Sequence, residues 1–217
     1  MKLVFATNNA HKLAEVRAIM ATHSLPFEVL SLSDIGCTDD IPEDAPTLEG
    51  NALAKARWIH SRYGLDCFAD DTGLEVDALG GEPGVHSARY AALADPHAAS
   101  HDSTANMRLL LQRLDRAEKA QGGEAQGGET PVSRSARFRT AIALILDGQE
   151  HLFEGRVEGE ILRSPTGTDG FGYDPVFRPA GSALSFAEMA PEAKNAISHR
   201  GRALEAMLAY LCSRPKE

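Results

Sequence analysis

Phe138-Arg139-Thr140-Ala141-Ile142-Ala143-Leu144-Ile145-Leu146-Asp147-Gly148-Gln149-Glu150-His151-Leu152-Phe153 decides the fold. Residues 138–146 form the longest strand candidate in the chain, with no breaker inside it. Asp147-Gly148 is a strong two-residue hairpin signal, and His151-Leu152-Phe153 resumes the strand. Elsewhere strands and helices interleave. A hairpin in the middle of such a chain favours an α/β fold on a mixed sheet over a purely parallel one.

Working outward, Leu3 to Ala6 reads as a short buried strand, followed by a turn at Thr7-Asn8-Asn9. Leu13, Val16, Ile19 and Met20 then repeat at helical spacing, with Asn8 or Asn9 placed to cap the helix. Phe27 to Leu30 reads as a second strand. Ser33 to Pro46 reads as loop. Thr47 caps a helix with the stripe Leu48, Ala52, Ala56, Ile59 and Tyr63. Cys67 to Ala69 gives a further strand, expected to end at the adjacent carboxylates Asp70 and Asp71, and Gly80-Gly81-Glu82-Pro83-Gly84 is a constrained turn. Asp102 or Ser103 opens a helix with Met107, Leu110, Leu111 and Leu114 on one face. Between Arg116 and Arg137 the pattern fades, and Ala-Gln-Gly-Gly-Glu occurs twice in tandem (120–124 and 125–129), so 116–137 is expected to be a flexible glycine-rich surface insertion. Ser185-Phe186-Ala187-Glu188 fits a capping box. Ser198 caps a last helix with Leu204, Met207, Leu208 and Leu211.

A chain of 217 residues with a net charge of −9 carries the wrong sign for a general nucleic-acid binder. An anionic ligand must be held by local cations or a metal. Three cysteines without a Cys-x-x-Cys pattern read as reduced thiols in the cytoplasm, and neither a signal peptide nor a membrane span is expected.

Asp70 and Asp71 cost stability unless something cationic offsets them. Lys12 in the first turn of one helix and His199-Arg200 in the first turn of the last oppose the helix dipole, by roughly 0.3–1 kcal/mol each when exposed. Free N–H groups at helix starts favour an anion, which makes both anomalies intelligible if a phosphate docks there. Lys55 lies with Asn51 on the edge of its helix's apolar stripe. Thr166-Gly167-Thr168-Asp169-Gly170-Phe171-Gly172-Tyr173-Asp174-Pro175 joins three glycines, which admit a ligand close to the backbone, to aromatics that can stack on a flat ring. Carboxylates for Mg²⁺, cations for phosphates and an aromatic for a base describe hydrolysis or transfer on a nucleoside polyphosphate. The residues narrow the reaction no further.

Phe5-Ala6-Thr7-Asn8-Asn9-Ala10-His11-Lys12, Ala69-Asp70-Asp71-Thr72-Gly73-Leu74, Phe171-Gly172-Tyr173-Asp174-Pro175 and Ser198-His199-Arg200 occur in one family's order and spacing. The chain resembles the inosine/xanthosine triphosphate pyrophosphatases, the ITPase family, from Met1 to about Leu211. The resemblance implies cleavage of ITP, dITP or XTP to the monophosphate and pyrophosphate, with Mg²⁺ as cofactor. It also implies one domain of two lobes (1–217) around a long mixed sheet, with the nucleotide in a cleft between lobes and a homodimer. By the same resemblance Asp71 is the general base and a metal ligand, with Glu43 and Asp70 as further metal carboxylates. Thr7, Asn8, Asn9, Ala10, His11 and Lys12 become the triphosphate loop, Thr72 a substrate contact, and Lys55 and Lys194 phosphate-binding lysines. Phe171, Gly172, Tyr173, Asp174, His199 and Arg200 become the base pocket. The chain departs from the family at Gly50, where many members have Glu and no role is assigned, at Thr72, where Ser is common, and at His86, which replaces a frequent Tyr. Two rival readings are a pyrophosphatase for other nucleotides on the related Maf-type fold and a sensor that binds nucleotide without hydrolysis.

Overall fold

The structure, a computed structural model, describes residues 2–23, 27–95, 97–122 and 133–214. Seven strands form one sheet in the order β2-β1-β3-β5-β6-β7, with β4 paired to β3. They are β1 (Lys2–Phe5), β2 (Glu28–Leu30), β3 (Cys67–Val76), β4 (Pro83–Gly84), β5 (Ser135–Leu146), β6 (Gln149–Ile161) and β7 (Phe177–Pro179). β1 runs parallel to β2 and β3, while β3 with β4 and β6 with β7 are antiparallel. The sheet is mixed, as the hairpin implied. Asp147 and Gly148, which join β5 to β6, have φ of 50° and 74°, the left-handed pair that a two-residue hairpin requires.

The helices are α1 (Ala10–Ala21), α2 (Leu48–Tyr63), α3 (Tyr90–Ala94), α4 (Ser103–Gly122), α5 (Pro191–Ile197) and α6 (His199–Ser213). Their starts are chemically local. Asn9 caps α1 by accepting the His11 and Lys12 N–H groups, Thr47 caps α2 through Gly50 N–H, and Ser198 caps α6 through Gly201 N–H. Glu188 accepts the Ser185 N–H at 2.8 Å, but this expected box closes a single 3-10 turn rather than a helix.

The chain divides into two compact units. The first comprises Met1–Thr72, Arg139–Arg156 and Asn195–Glu217. Its core packs Leu3, Phe5 and Phe68 with Val16 and Ile19 of α1, Ile142 and Leu144 of β5, and Leu204, Met207 and Leu208 of α6. Burying such side chains stabilises the unit by about 1.5–3 kcal/mol each. Gly155 brings β6 against α6: a Cβ there would lie 2.0 Å from the His199 carbonyl oxygen and 2.4 Å from Ala203 N. The second unit comprises Gly73–Phe138 and Val157–Lys194. There Phe138 meets Phe177 edge-on at 4.7 Å, and Phe177 meets Phe186 at 5.2 Å.

Two expectations need correction. β3 does not end at the aspartates but continues through them to Val76. α4 does not fade at Arg116 but runs to Gly122, held by Glu118, which accepts from Arg134 at 3.0 Å and Arg163 at 2.9 Å. With β5 opening at Ser135, both edges of the expected 116–137 insertion are regular structure; its centre, 123–132, lies outside the described residues.

Candidate functional site

Strand alternation explains how β3 carries two adjacent carboxylates. Successive side chains point to opposite sides of a strand, so Asp70 and Asp71 find different partners. Asp70, 1% exposed, meets the Lys12 ammonium of α1 at 2.9 Å through Oδ1 and the Arg200 Nε of α6 at 3.0 Å through Oδ2. Arg200 is itself buried, and its other nitrogens reach Glu15 and the Thr72 hydroxyl. Thr72 shares a hydrogen bond of 2.7 Å with Thr140 on β5. An alternating line Lys12, Asp70, Arg200, Glu15 therefore runs beside the strand.

Asp71 faces α2. Asn51 Nδ2 donates to its Oδ2 at 2.9 Å, the Thr72 N–H donates to Oδ1 at 3.0 Å, and Lys55 Nζ stands 4.0 Å from Oδ1. The same Lys55 Nζ donates to Glu43 Oε1 at 2.5 Å. Asn51 and Lys55 are four residues apart, so one helix face presents an amide and an ammonium to one carboxylate.

The protonation balance differs between the two aspartates. For Asp70, burial would raise the pKa, but the attraction of Lys12, Arg200 and Lys55 outweighs it and holds the carboxyl well below its usual range. For Asp71 burial wins over Lys55 and Lys12, and its pKa is raised. Burial lowers Lys12 despite Asp70. Lys55, which burial would lower, is raised by Asp71, Glu43 and Asp70 together. Glu43 is lowered: Lys55 overcomes the effect of its partial burial.

Thr7 to Lys12 form the β1–α1 turn and first helical turn. Asn8, Ala10 and His11 are exposed, while the Thr7 hydroxyl accepts the Asn9 N–H at 3.2 Å. His199 is buried beside Arg200 at the start of α6. The first unit thus brings together Thr7–Lys12, Glu43, Lys55, Asp70, Asp71, Thr72, His199 and Arg200.

Phe171, Gly172, Tyr173, Asp174 and Lys194 belong to the second unit. Asp174 Oδ2 accepts the Phe171 N–H at 2.7 Å and the Lys194 ammonium at 2.8 Å, and that ammonium lies 5.1 Å from the Phe171 ring centre. Gly170, with φ of 76°, is required here, because a Cβ would lie 2.2 Å from Asp174 Oδ2. Lys194, expected among the phosphate lysines, is grouped with the aromatic and the carboxylate expected to hold the base. Tyr173 is 4% exposed and its hydroxyl donates to the Ser87 carbonyl at 2.9 Å, an anchor for the loop. Arg200, expected in the base pocket, spends its guanidinium on Asp70, Glu15 and Thr72.

Sequence reasoning missed three residues of the first group. Asn51 was visible only as a polar residue on the edge of an apolar stripe. Glu15 follows Lys12 by three positions on one helix face, a spacing that could have marked it. Thr140 gave no signal, since threonine is ordinary in a strand.

The comparisons with known proteins follow the same lines. A dITP/XTP pyrophosphatase of Porphyromonas gingivalis is 52% identical over 210 residues, covering 97% of each chain. One from Flavobacterium johnsoniae is 46% identical over 211 residues, covering 97% of this chain and 98% of its own. Among solved structures, a HAM1 protein from Coxiella burnetii superposes with a TM-score of 0.81 at 34% identity, covering 99% of this chain and all of its own. A nucleoside-triphosphatase / dITP/XTP pyrophosphatase from Mycobacterium abscessus gives a TM-score of 0.70 at 41% identity, covering 96% and 99%. Residues 3–210 match the profile of the Ham1 family, and the chain belongs to that family.

Proposed function

We propose that this protein hydrolyses the triphosphates of deaminated purines (dITP, XTP and ITP) to the monophosphate and pyrophosphate, and so removes them from the nucleotide pool. One observation carries the reading: Asp71 is a buried carboxylate with a raised pKa, oriented by an amide and faced by a lysine. That is what a general base for an attacking water needs. The curated relatives named above bear the same activity in their names.

Asp71 takes the proton from water. Lys55 and Lys12 oppose the charge that gathers on the departing pyrophosphate. The turn Thr7–Lys12 ends at the capped start of α1, a place suited to phosphate oxygens. A purine stacks on Phe171, and the Lys194 ammonium beside that ring donates to a 6-oxo acceptor; adenine, with a donor there, is refused. Arg200 supports the site through Asp70 rather than reading the base.

The donor set fits a hard divalent metal such as Mg²⁺. Asp71 retains a burial penalty that a cation would relieve, and Glu43 lies across Lys55 from it. No group of three or more metal-type side chains occurs among the described residues; Asp71 and Glu43 are the residues that would hold the ion. Both oxygens of Asp70 are held by cations, so it supports the site rather than ligating. When bound, the metal would neutralise phosphate charge. We place the enzyme in the cytoplasm as a homodimer; no helix among the described residues is long and apolar enough to cross a membrane.

The test is pyrophosphate release across ITP, dITP, XTP, GTP, ATP and dTTP. The deaminated purines should lead, and Asp71→Asn should lower their turnover by about 10²–10⁴-fold with nucleotide binding retained. Near-normal turnover in that variant, or preference for dTTP, would sink the reading.

A further inference from the structure

Gly50 and Asn51, at the start of α2, have no assigned role, yet they join two parts of the candidate site. Asn51 is 1% exposed and both ends of its amide are engaged. Nδ2 donates to Asp71 Oδ2 at 2.9 Å, and Oδ1 accepts the Ala45 N–H at 2.8 Å. Chemistry fixes this orientation: a carboxylate needs a donor and a backbone N–H needs an acceptor, so a flipped amide would satisfy neither. One neutral side chain thereby ties the carboxylate on β3 to the acidic loop, two residues from Glu43.

Gly50 makes that contact possible. A Cβ at this position would lie 2.8 Å from the Ala45 Cβ and 3.0 Å from the Thr47 Oγ1. The nearer atom is a rigid methyl rather than the end of a flexible chain, so any side chain at 50 must shift the loop relative to the helix start.

Lys55 bridges the same two parts by charge, at 2.5 Å from Glu43 and 4.0 Å from Asp71. That bridge weakens as phosphate or metal charge arrives and competes for the ammonium. The Asn51 bridge is made by a neutral side chain.

We infer that Gly50 and Asn51 form a latch on the acidic loop: Asn51 is a positioning residue that sets the orientation of the Asp71 carboxylate and links it to the Glu43 loop, and Gly50 is the gap that admits that loop. The inference rests on the reading of Asp71 as general base.

The experiment uses the full chain with XTP and Mg²⁺, and separately follows exchange of the Ala45 amide by NMR with neither present. Asn51→Asp keeps the acceptor for Ala45 and removes the donor to Asp71. Its kcat should fall by about ten- to a hundred-fold, with KM within about three-fold of the parent and the Ala45 amide still protected. Gly50→Ala should speed exchange of that amide by about ten-fold or more and raise the Mg²⁺ concentration needed for half-maximal rate. A kcat for Asn51→Asp within about two-fold of the parent overturns the positioning role. Unchanged Ala45 exchange in Gly50→Ala overturns the latch. Should Asn51→Asp not fold, Asn51→Ser, whose hydroxyl is too short to span both partners, replaces it under the same kcat criterion. A parent that releases no pyrophosphate refutes the activity, and the amide exchange then still decides the latch.

Discussion

At the scale of single residues, the two aspartates of β3 are adjacent in sequence and opposite in environment. Asp70 is a structural anion, sandwiched between Lys12 and Arg200, and its pKa is depressed because those cations outweigh burial. Removing it leaves two largely buried cations without their shared partner, so Asp70→Asn should cost about 3–5 kcal/mol at neutral pH. The pH dependence has a definite sign. A carboxyl with a folded pKa below its unfolded value of about 3.9 contributes its full stability above that value and loses it as pH falls toward the folded one. The stability difference between parent and Asp70→Asn should therefore be constant from about pH 6 to 8 and shrink below about pH 4. Urea unfolding of both proteins at neutral and acidic pH measures it; a difference that grows on acidification contradicts the assignment. Asp71, beside it, keeps a raised pKa. Composition and spacing marked the pair but could not divide it, because the division depends on which side of the strand each residue faces.

At the scale of elements, the helix starts were legible and the extent of β3 was not, for one physical reason. A cap is made within three residues: Asn9 to Lys12, Thr47 to Gly50, Ser198 to Gly201. The hairpin signal at Asp147-Gly148 is equally local. By contrast, the cations that let β3 run through Asp70 are 58 and 130 residues away in the chain. A local reading of Asp-Asp correctly sees a cost and wrongly ends the strand. α6 depends on a non-local contact of the same kind, at Gly155 of β6. A methyl there would sit 2.0 Å from the His199 carbonyl oxygen and 2.4 Å from Ala203 N, both backbone atoms that cannot rotate away. Gly155→Ala should lower stability by about 1–3 kcal/mol or more. It should also lower turnover beyond the loss of folded protein, because the first turn of α6 carries Arg200 and with it one support of Asp70. The check is the melting temperature together with kcat per folded molecule; a variant as stable as the parent would contradict the close approach of β6 to α6 at this glycine.

At the scale of the whole molecule, the acidic balance poses the question of how a polyanion is bound at all. The net charge is −9. The cations of the candidate residues are not a positive surplus: Lys12 is paired with Asp70, Lys55 with Glu43 and Asp71, Lys194 with Asp174, and Arg200 with Asp70 and Glu15. The resemblance marked Lys12, Lys55, Lys194 and Arg200, but Glu15 carried no such mark and the pairings could be seen only in the fold. They set the direction of the last prediction. A triphosphate entering among paired charges needs an additional cation, so divalent metal is expected to govern binding and not only turnover. Calorimetric titration with XTP should give an affinity at least about ten-fold weaker in chelator than in Mg²⁺, a change of about 1.4 kcal/mol. Added monovalent salt should act differently. It screens exposed charges beyond about 8 Å at physiological strength, and here the long-range field repels the substrate while the attractive groups are buried. Raising NaCl from about 0.05 to 0.3 M at saturating Mg²⁺ should thus leave kcat/KM within about three-fold of its starting value. A steep fall with salt, of the kind seen when a basic surface gathers an anionic ligand, would show that exposed cations rather than the metal and these buried pairs hold the nucleotide.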